Sequence, residues 1–361
     1  MIKKHIFTLF LLAGFVSCRA DGKPAEAFEY PLSSFAVKVG DSWYYASLDH
    51  NTRTASVGVI AYPDEITDVC YVIPSGASIS PEPAAMSGNW AKEQEFVITD
   101  AEGASVVYSV VFTAWKEKPE FRLVFSDEFD VDGNPDPGKW VLCPKGTSDW
   151  NDEMSESYEQ AYVRDGRLFL TAEKDGDEYK AGGIKTQDRF SFTFGKVECR
   201  ARISRSPDGA FPAIWMMPQK SLYQDWPACG EIDIMEHIRQ EPHIHQTIHT
   251  HYRNTLGYET NTTAQTTCDY TDYVVYGLEW TSEYLSFLVD GVETFRYENM
   301  HLPDEAEMKQ WPYGEDSAFY LILNMGLGDS DTWAGPVDDS RLPAVMEVDW
   351  IRVYEPMDTV Y

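Results

Sequence analysis

The chain is predicted to be all-β, with a small N-terminal β-sandwich followed by a larger β-jelly roll. Three observations lead there. Short runs rich in β-branched and aromatic residues alternate with turn residues along most of the length. Asp165-Gly166 and Asp290-Gly291 each sit between apolar runs, a strong hairpin signal because both turn positions tolerate positive φ. Convincing helical periodicity is absent apart from one turn near 304–310.

Taken in order, residues 1–18 form an export signal. Met1-Ile2-Lys3-Lys4 is a basic start, and the apolar run 6–16 is too short to span a bilayer. It closes on Phe15-Val16-Ser17-Cys18, which resembles a bacterial lipoprotein signal whose Cys18 becomes the lipidated first residue. The rival is ordinary secretion with cleavage just after. Both readings place the protein outside the cytoplasm, at the outer membrane or cell surface as a lipoprotein, otherwise periplasmic or secreted. Residues 19–28 are small and polar, as a tether requires. From 29 to 118, β-rich runs at 35–39, 56–62, 69–73 and 106–112 are spaced as in a sandwich. This part resembles the immunoglobulin-like spacer modules of gut bacterial surface lipoproteins. Lys116-Glu117-Lys118-Pro119 interrupts the pattern, and residues 119–361 read as one two-sheet domain.

Composition bounds the function. A chain of 361 residues with 43% hydrophobic content supports one large core or two. The formal net charge of −30 opposes nucleic acid and anionic membranes as partners, so the membrane is reached only through the N-terminal lipid. The partner is neutral or cationic. The 11 Trp, 21 Tyr and 18 Phe fill cores and also offer flat faces on which sugars stack. Of the six cysteines, lipidation of Cys18 leaves five and no C-x-x-C pair, so disulfides are optional.

The most informative segment is Gly230-Glu231-Ile232-Asp233-Ile234-Met235-Glu236-His237. It keeps three carboxylates in an apolar run, where charge is costly without a use. On a regular strand Glu231 and Asp233 share one face and Glu236 takes the other. A one-residue β-bulge near Met235 returns Glu236 to the first face. The three then line one surface, as a two-carboxylate cleavage of glycosidic bonds needs. The simpler alternative is an acidic edge strand with a solvated face. It is disfavoured because Ile232, Ile234 and Met235 read as buried. Histidines 243, 245, 249 and 251 recur at even spacing, so a strand aligns all four. No carboxylate or thiolate at ligand spacing accompanies them, and a metal centre is not expected.

Residues 123–355 resemble glycoside hydrolase family 16. The matches are Ser126-Asp127-Glu128-Phe129, Gly195-Lys196-Val197-Glu198, Phe211-Pro212-Ala213-Ile214-Trp215-Met216, Trp226-Pro227, the Gly230 to Glu236 run, Leu321-Ile322-Leu323-Asn324 and Val348-Asp349-Trp350-Ile351-Arg352-Val353-Tyr354. The resemblance implies a concanavalin-like jelly roll with an open cleft and a retaining mechanism. It makes Glu231 the nucleophile, Asp233 its helper and Glu236 the general acid/base. It offers Trp215, Trp226, His249 and Asn151 as substrate-binding residues, and Asn324 as one that either reaches the cleft floor or satisfies buried backbone. It implies no cofactor for catalysis, and a structural calcium held away from the cleft through Glu128, Asp349 and main-chain oxygens.

The implied substrate is a neutral β-linked oligo- or polysaccharide cut internally. Phe211 stands where glucanase members keep Trp, and the residues after Asn151 leave the glucanase pattern. Together with the 235–237, 246–252 and 333–345 segments, these favour β-1,4-galactosyl bonds of mucin-type O-glycans, the poly-N-acetyllactosamine kind. A β-1,3-glucanase of the laminarinase type is the alternative. A non-catalytic surface glycan-binding protein is the third reading, disfavoured because binding alone needs no such carboxylate set.

Overall fold

A computed structural model describes residues 31–61, 65–86, 90–115, 120–258 and 261–357. The signal with Cys18 and the 19–28 tether lie outside the described residues. The chain divides into two compact units at Lys118/Pro119. Among the described residues no helix is long and apolar enough to cross a membrane, and all five described cysteines are free.

The first unit is a two-sheet β-sandwich. One sheet orders Ser42–Tyr45, Ser34–Val39 and Ile66–Val72; the other orders Ser47–Asp49, Thr54–Ala61, Ser105–Trp115, Glu93–Thr99 and Ser78–Ser80. Thr54–Ala61 runs parallel to Ser105–Trp115, while the other described ladders of this unit are antiparallel. Alternating positions send Phe35 and Val37 from one sheet, and Phe96, Tyr108 and Phe112 from the other, into one core around Trp90.

The second unit is an antiparallel sheet folded into two layers, the jelly roll expected. One layer orders Thr263–Thr267, His243–His249, Glu231–Glu236, Ala210–Lys220 and Ala318–Leu327. The other orders Leu168–Asp175, Ala344–Pro356, Gly195–Arg205, Val274–Trp280, Tyr284–Val289 and Val292–Glu298. Glu178–Lys185 joins them. Its first half pairs with Leu168–Asp175 and its second half with Ala318–Leu327. Between the layers, Ile214, Ile232, Ile234 and Leu321 meet Val197, Cys199, Leu278 and Ile351, all essentially inaccessible to solvent. The Asp-Gly pairs form the hairpin turns expected, with positive φ at Asp165, Gly166, Asp290 and Gly291. Glu305–Met308 is the short helix at the predicted place.

Gly230 sets the entry to the Glu231–Glu236 strand. Its φ is +84°, and a Cβ there would meet Pro312 Cγ and Tyr313 Cε1, both at 2.8 Å. The Tyr313 hydroxyl bridges the carbonyls of Glu231 and His249, at 3.1 and 2.9 Å, and so ties the start of this strand to its neighbour. Gly230→Ala therefore combines a disfavoured backbone with a clash against a buried ring. It is expected to cost about 2 kcal/mol or more of unfolding free energy, read as a lower denaturant midpoint at unchanged slope.

Candidate active site

The bulge in the Glu231–Glu236 strand decides what the site is. Glu231 lies opposite His249 and Asp233 opposite Thr247, but the next pair is Glu236 with His245. Three residues on one strand thus oppose two on its partner. On the other side Met235 pairs with Ile214 and Asp233 with Trp215, leaving Ile234 as the extra residue. Ile232, Ile234 and Met235 enter the core, while Glu231, Asp233 and Glu236 all line one cavity of about 400 Å³. The bulge expected near Met235 is present, and all three carboxylates share the cavity.

Burial governs their electrostatics. It raises the pKa of Glu231 to about 8, and the neighbouring Asp233 adds to the rise. Burial lifts Asp233 well above the usual carboxylate range. Burial lifts Glu236 likewise, with repulsion from Asp233 and Glu231 added. Three such groups do not ionise together at neutral pH, and they titrate as a set. Their hydrogen-bond partners differ. Trp226 Nε1 donates to Glu231 Oε2 at 2.8 Å, and His249 Nε2 stands 3.7 Å from Glu231 Oε1. Both favour an ionised Glu231. Glu236 has the Thr247 hydroxyl and the attraction of His249 to the same end. Asp233 Oδ2, 3.3 Å from His249 Nε2, is buried without a hydrogen bond.

Aromatic rings form the rest of the wall. Trp226 is 54% exposed beside Glu231, and its ring centroid is 5.8 Å from that of His249. Trp215 also lines the cavity but is mostly buried, packed edge-on against Trp150 at 4.9 Å. His249 sits in the cleft, with Nδ1 facing Asn254 Nδ2 at 2.9 Å. It contacts Glu231 and Asp233.

Neither candidate asparagine lines the cavity, and Asn324 takes the buried-backbone role of its two readings. Asn151 does not line the cavity; its side chain accepts from the Ser148 N–H and donates to the Pro144 carbonyl, bracing its own loop. Its neighbours Asp149 and Trp150 reach the cleft instead. Asn324 is fully buried, accepts from Trp215 Nε1 at 2.7 Å and donates to the Phe211 carbonyl. It fixes the Trp215 ring from below. The calcium pair is also not arranged as a cation site. Glu128 accepts two bonds from the Arg352 guanidinium, which holds its carboxyl low, and Asp349 pairs with Arg200. With an arginine on each carboxylate, these side chains do not fit a cation.

Three features escaped the sequence. Trp333 and Trp150 line the cavity, and Trp333 packs edge-on against Phe211 at 5.6 Å. Tyr313 anchors the Glu231–Glu236 strand through the Glu231 carbonyl. Glu241 joins the histidines: its Oε2 lies 3.1 Å from His243 Nε2 and 2.8 Å from His245 Nε2. The expectation that no carboxylate accompanies them is thus corrected. His251 begins a short helix and leaves their strand.

The pattern of Glycosyl hydrolases family 16 matches residues 148–352, and that of a domain of unknown function, DUF4971, matches residues 14–129. The chain is 38% identical over 251 residues to a beta-glucanase of Rhodothermus marinus, covering 65% of this chain and 86% of that protein. It is 35% identical over 242 residues to a keratan-sulfate endo-1,4-beta-galactosidase of Sphingobacterium multivorum, covering 65% of this chain but only 56% of that longer protein. Among solved structures it resembles the laminarinase of Rhodothermus marinus, with a TM-score of 0.60 and 37% identity over 66% of this chain and 99% of that one. It also resembles a chain from work on endo-acting O-glycanases with which human gut microbiota initiate mucin breakdown, at a TM-score of 0.59 and 37% identity, covering 64% and 98%.

The electrostatics give a test with opposite signs. Asp233→Asn removes a like charge and is expected to lower the Glu231 pKa; Trp226→Phe removes a donor to the carboxylate and is expected to raise it. Carbon-13 NMR of labelled glutamate side chains reads both. Shifts of the same sign in the two variants would contradict this account.

Proposed function

Because the chain belongs to glycoside hydrolase family 16 and is an endo-acting glycanase of that family, we propose that it works by double displacement with Glu231 as nucleophile and Glu236 as general acid/base. The observation that carries this division is that Glu231 accepts from the indole N–H of Trp226, whereas Glu236 is repelled by both other carboxylates. Glu231 has an indole N–H and an imidazole beside it, which stabilise the anion that attacks the anomeric carbon. Glu236, raised by burial and by both neighbours, holds the proton that the leaving oxygen requires. After the glycosyl–Glu231 ester forms, Glu236 takes a proton from water, which attacks the same carbon and restores Glu231. Asp233 between them keeps Glu236 protonated by repulsion and, when itself protonated, can share a proton with Glu231.

The substrate is a neutral β-linked glycan, and we place it among mucin-type O-glycans, cut at internal β-1,4-galactosyl bonds. No Lys or Arg lines the cavity, so nothing there clamps a sulfate. Phe211 against Trp333 makes a cleft wall unlike the Trp expected of glucanases. The likeness to a keratan-sulfate endo-1,4-beta-galactosidase and to the O-glycanase work supports galactosyl bonds as the ones cut. β-1,3-Glucan is the second reading, favoured by the identity to the beta-glucanase and the laminarinase. The basic start and short apolar run before Cys18 support an exported, lipid-anchored protein that meets such polymers outside the cell.

Mass spectrometry of products from mucin O-glycans and from laminarin separates the two substrates. Short oligosaccharides with reducing-end galactose are expected from mucin; glucose oligomers from laminarin alone would reverse the choice. Glu231→Gln is expected to release nothing above background. Glu236→Gln is expected to lower kcat/KM about 10²- to 10⁴-fold, and least for substrates whose leaving group needs no proton. Turnover like wild type in Glu231→Gln would make the nucleophile assignment wrong.

A further inference from the structure

We propose that Glu241, His243 and His245 bind one divalent transition-metal ion, zinc being the representative ion, in a site separate from the three carboxylates. The donors are two imidazole Nε2 atoms and one carboxylate oxygen, all within 4.8 Å of one another. Glu241 Oε2 stands 3.1 Å from His243 Nε2 and 2.8 Å from His245 Nε2. Ligands on a tetrahedral zinc with bonds of about 2.0–2.1 Å lie roughly 3.3 Å apart, so small side-chain shifts admit the ion. A nitrogen-rich set with one carboxylate suits zinc, copper or nickel better than calcium or magnesium.

An orphaned donor points the same way. His243 Nε2 is buried yet makes no hydrogen bond, although Glu241 Oε2 lies 3.1 Å away. Leaving such an atom unsatisfied costs stability, and a metal ion is the partner that uses its lone pair. The ligands are also held in place. The backbone carbonyl of Glu241 accepts from His237 Nε2 at 3.0 Å, and the Ser206 hydroxyl, which donates to the Arg239 carbonyl, lies 3.2 Å from His237 Nδ1. His237 is wholly buried and braces the turn.

The site adjoins the cleft wall. The His245 ring packs edge-on against Trp333 at 4.8 Å, and Arg239 from the same turn donates to the Trp333 carbonyl. Trp333 lines the cavity. A bound ion therefore stiffens the turn and the tryptophan together, and three protein ligands leave one position for water or a glycan oxygen. None of this depends on which glycan is cut.

The test is zinc titration of the chelator-stripped full-length chain by calorimetry, with thermal unfolding followed in parallel. One zinc per chain at micromolar affinity or tighter is expected, together with a higher unfolding midpoint. His243→Ala and Glu241→Gln are each expected to weaken binding at least tenfold while keeping the zinc-free circular dichroism of wild type. His249→Ala, which disrupts the Glu231–Asp233–His249 cluster, is expected to bind as wild type does. Absence of binding by the wild-type chain overturns the proposal by itself, whatever the variants do. So does wild-type affinity in His243→Ala, or loss in His249→Ala with retention in His243→Ala, which would place the ion among the carboxylates.

Discussion

Everything at the cleft depends on keeping three carboxylates on one strand whose other face is core. Ile232, Ile234 and Met235 are fully buried, so the strand has no freedom to rotate. A regular strand under that constraint gives only two carboxylates to the cleft. The bulge between Asp233 and Glu236 resolves it by absorbing one residue, Ile234, into the apolar side. The surrounding sequence then serves that geometry. Gly230 supplies the positive φ at the entry, and Tyr313 pins Glu231 against His249.

Holding these groups costs stability, and the sign is fixed by the direction of their shifts. All three pKa values are raised in the folded state. Between the ordinary carboxylate pKa and the raised one, the folded chain binds more protons than the unfolded chain, so stability contributed by the protonated groups is lost as pH rises. The core beneath the strand and the Tyr313 bridge carry that cost. Chemistry gains from it, because a carboxyl group that keeps its proton near neutrality acts as an acid, while the Trp226 N–H and His249 beside Glu231 favour its anion against the rise that burial imposes. Trp226 does two things at once here. Its N–H supports the Glu231 anion, and its ring remains exposed beside that carboxylate.

Much of this was legible in the residues. Alternation and the Asp-Gly turns announce the strands and hairpins, and three acids in an apolar run announce both the site and the bulge it requires. Polar side chains were harder to place. Asn151 and Asn324 sit beside true cleft residues, but whether an amide faces sugar or backbone depends on partners distant in sequence: Ser148 and Pro144 for one, Trp215 and Phe211 for the other. Glu128 and Asp349 met arginines from neighbouring strands for the same reason. Glu241 was missed although it lies only two residues from His243. It belongs to the turn before the strand, so counting along the strand alone passed over it. Trp333 comes to the cleft from about 90 residues farther along the chain, a closure that only tertiary packing reveals.

The central claim is that the bulge presents Glu231 as a nucleophile and Glu236 as its acid/base partner across one bond. Trapping with a 2-deoxy-2-fluoro glycoside of the substrate sugar carrying an activated leaving group, followed by peptide mapping, tests it most directly. The account predicts one glycosyl ester per chain, on Glu231, formed also in Glu236→Gln because the activated leaving group needs no proton. An ester on Asp233 or Glu236, or hydrolysis that inverts the anomeric centre with no ester at all, would contradict it.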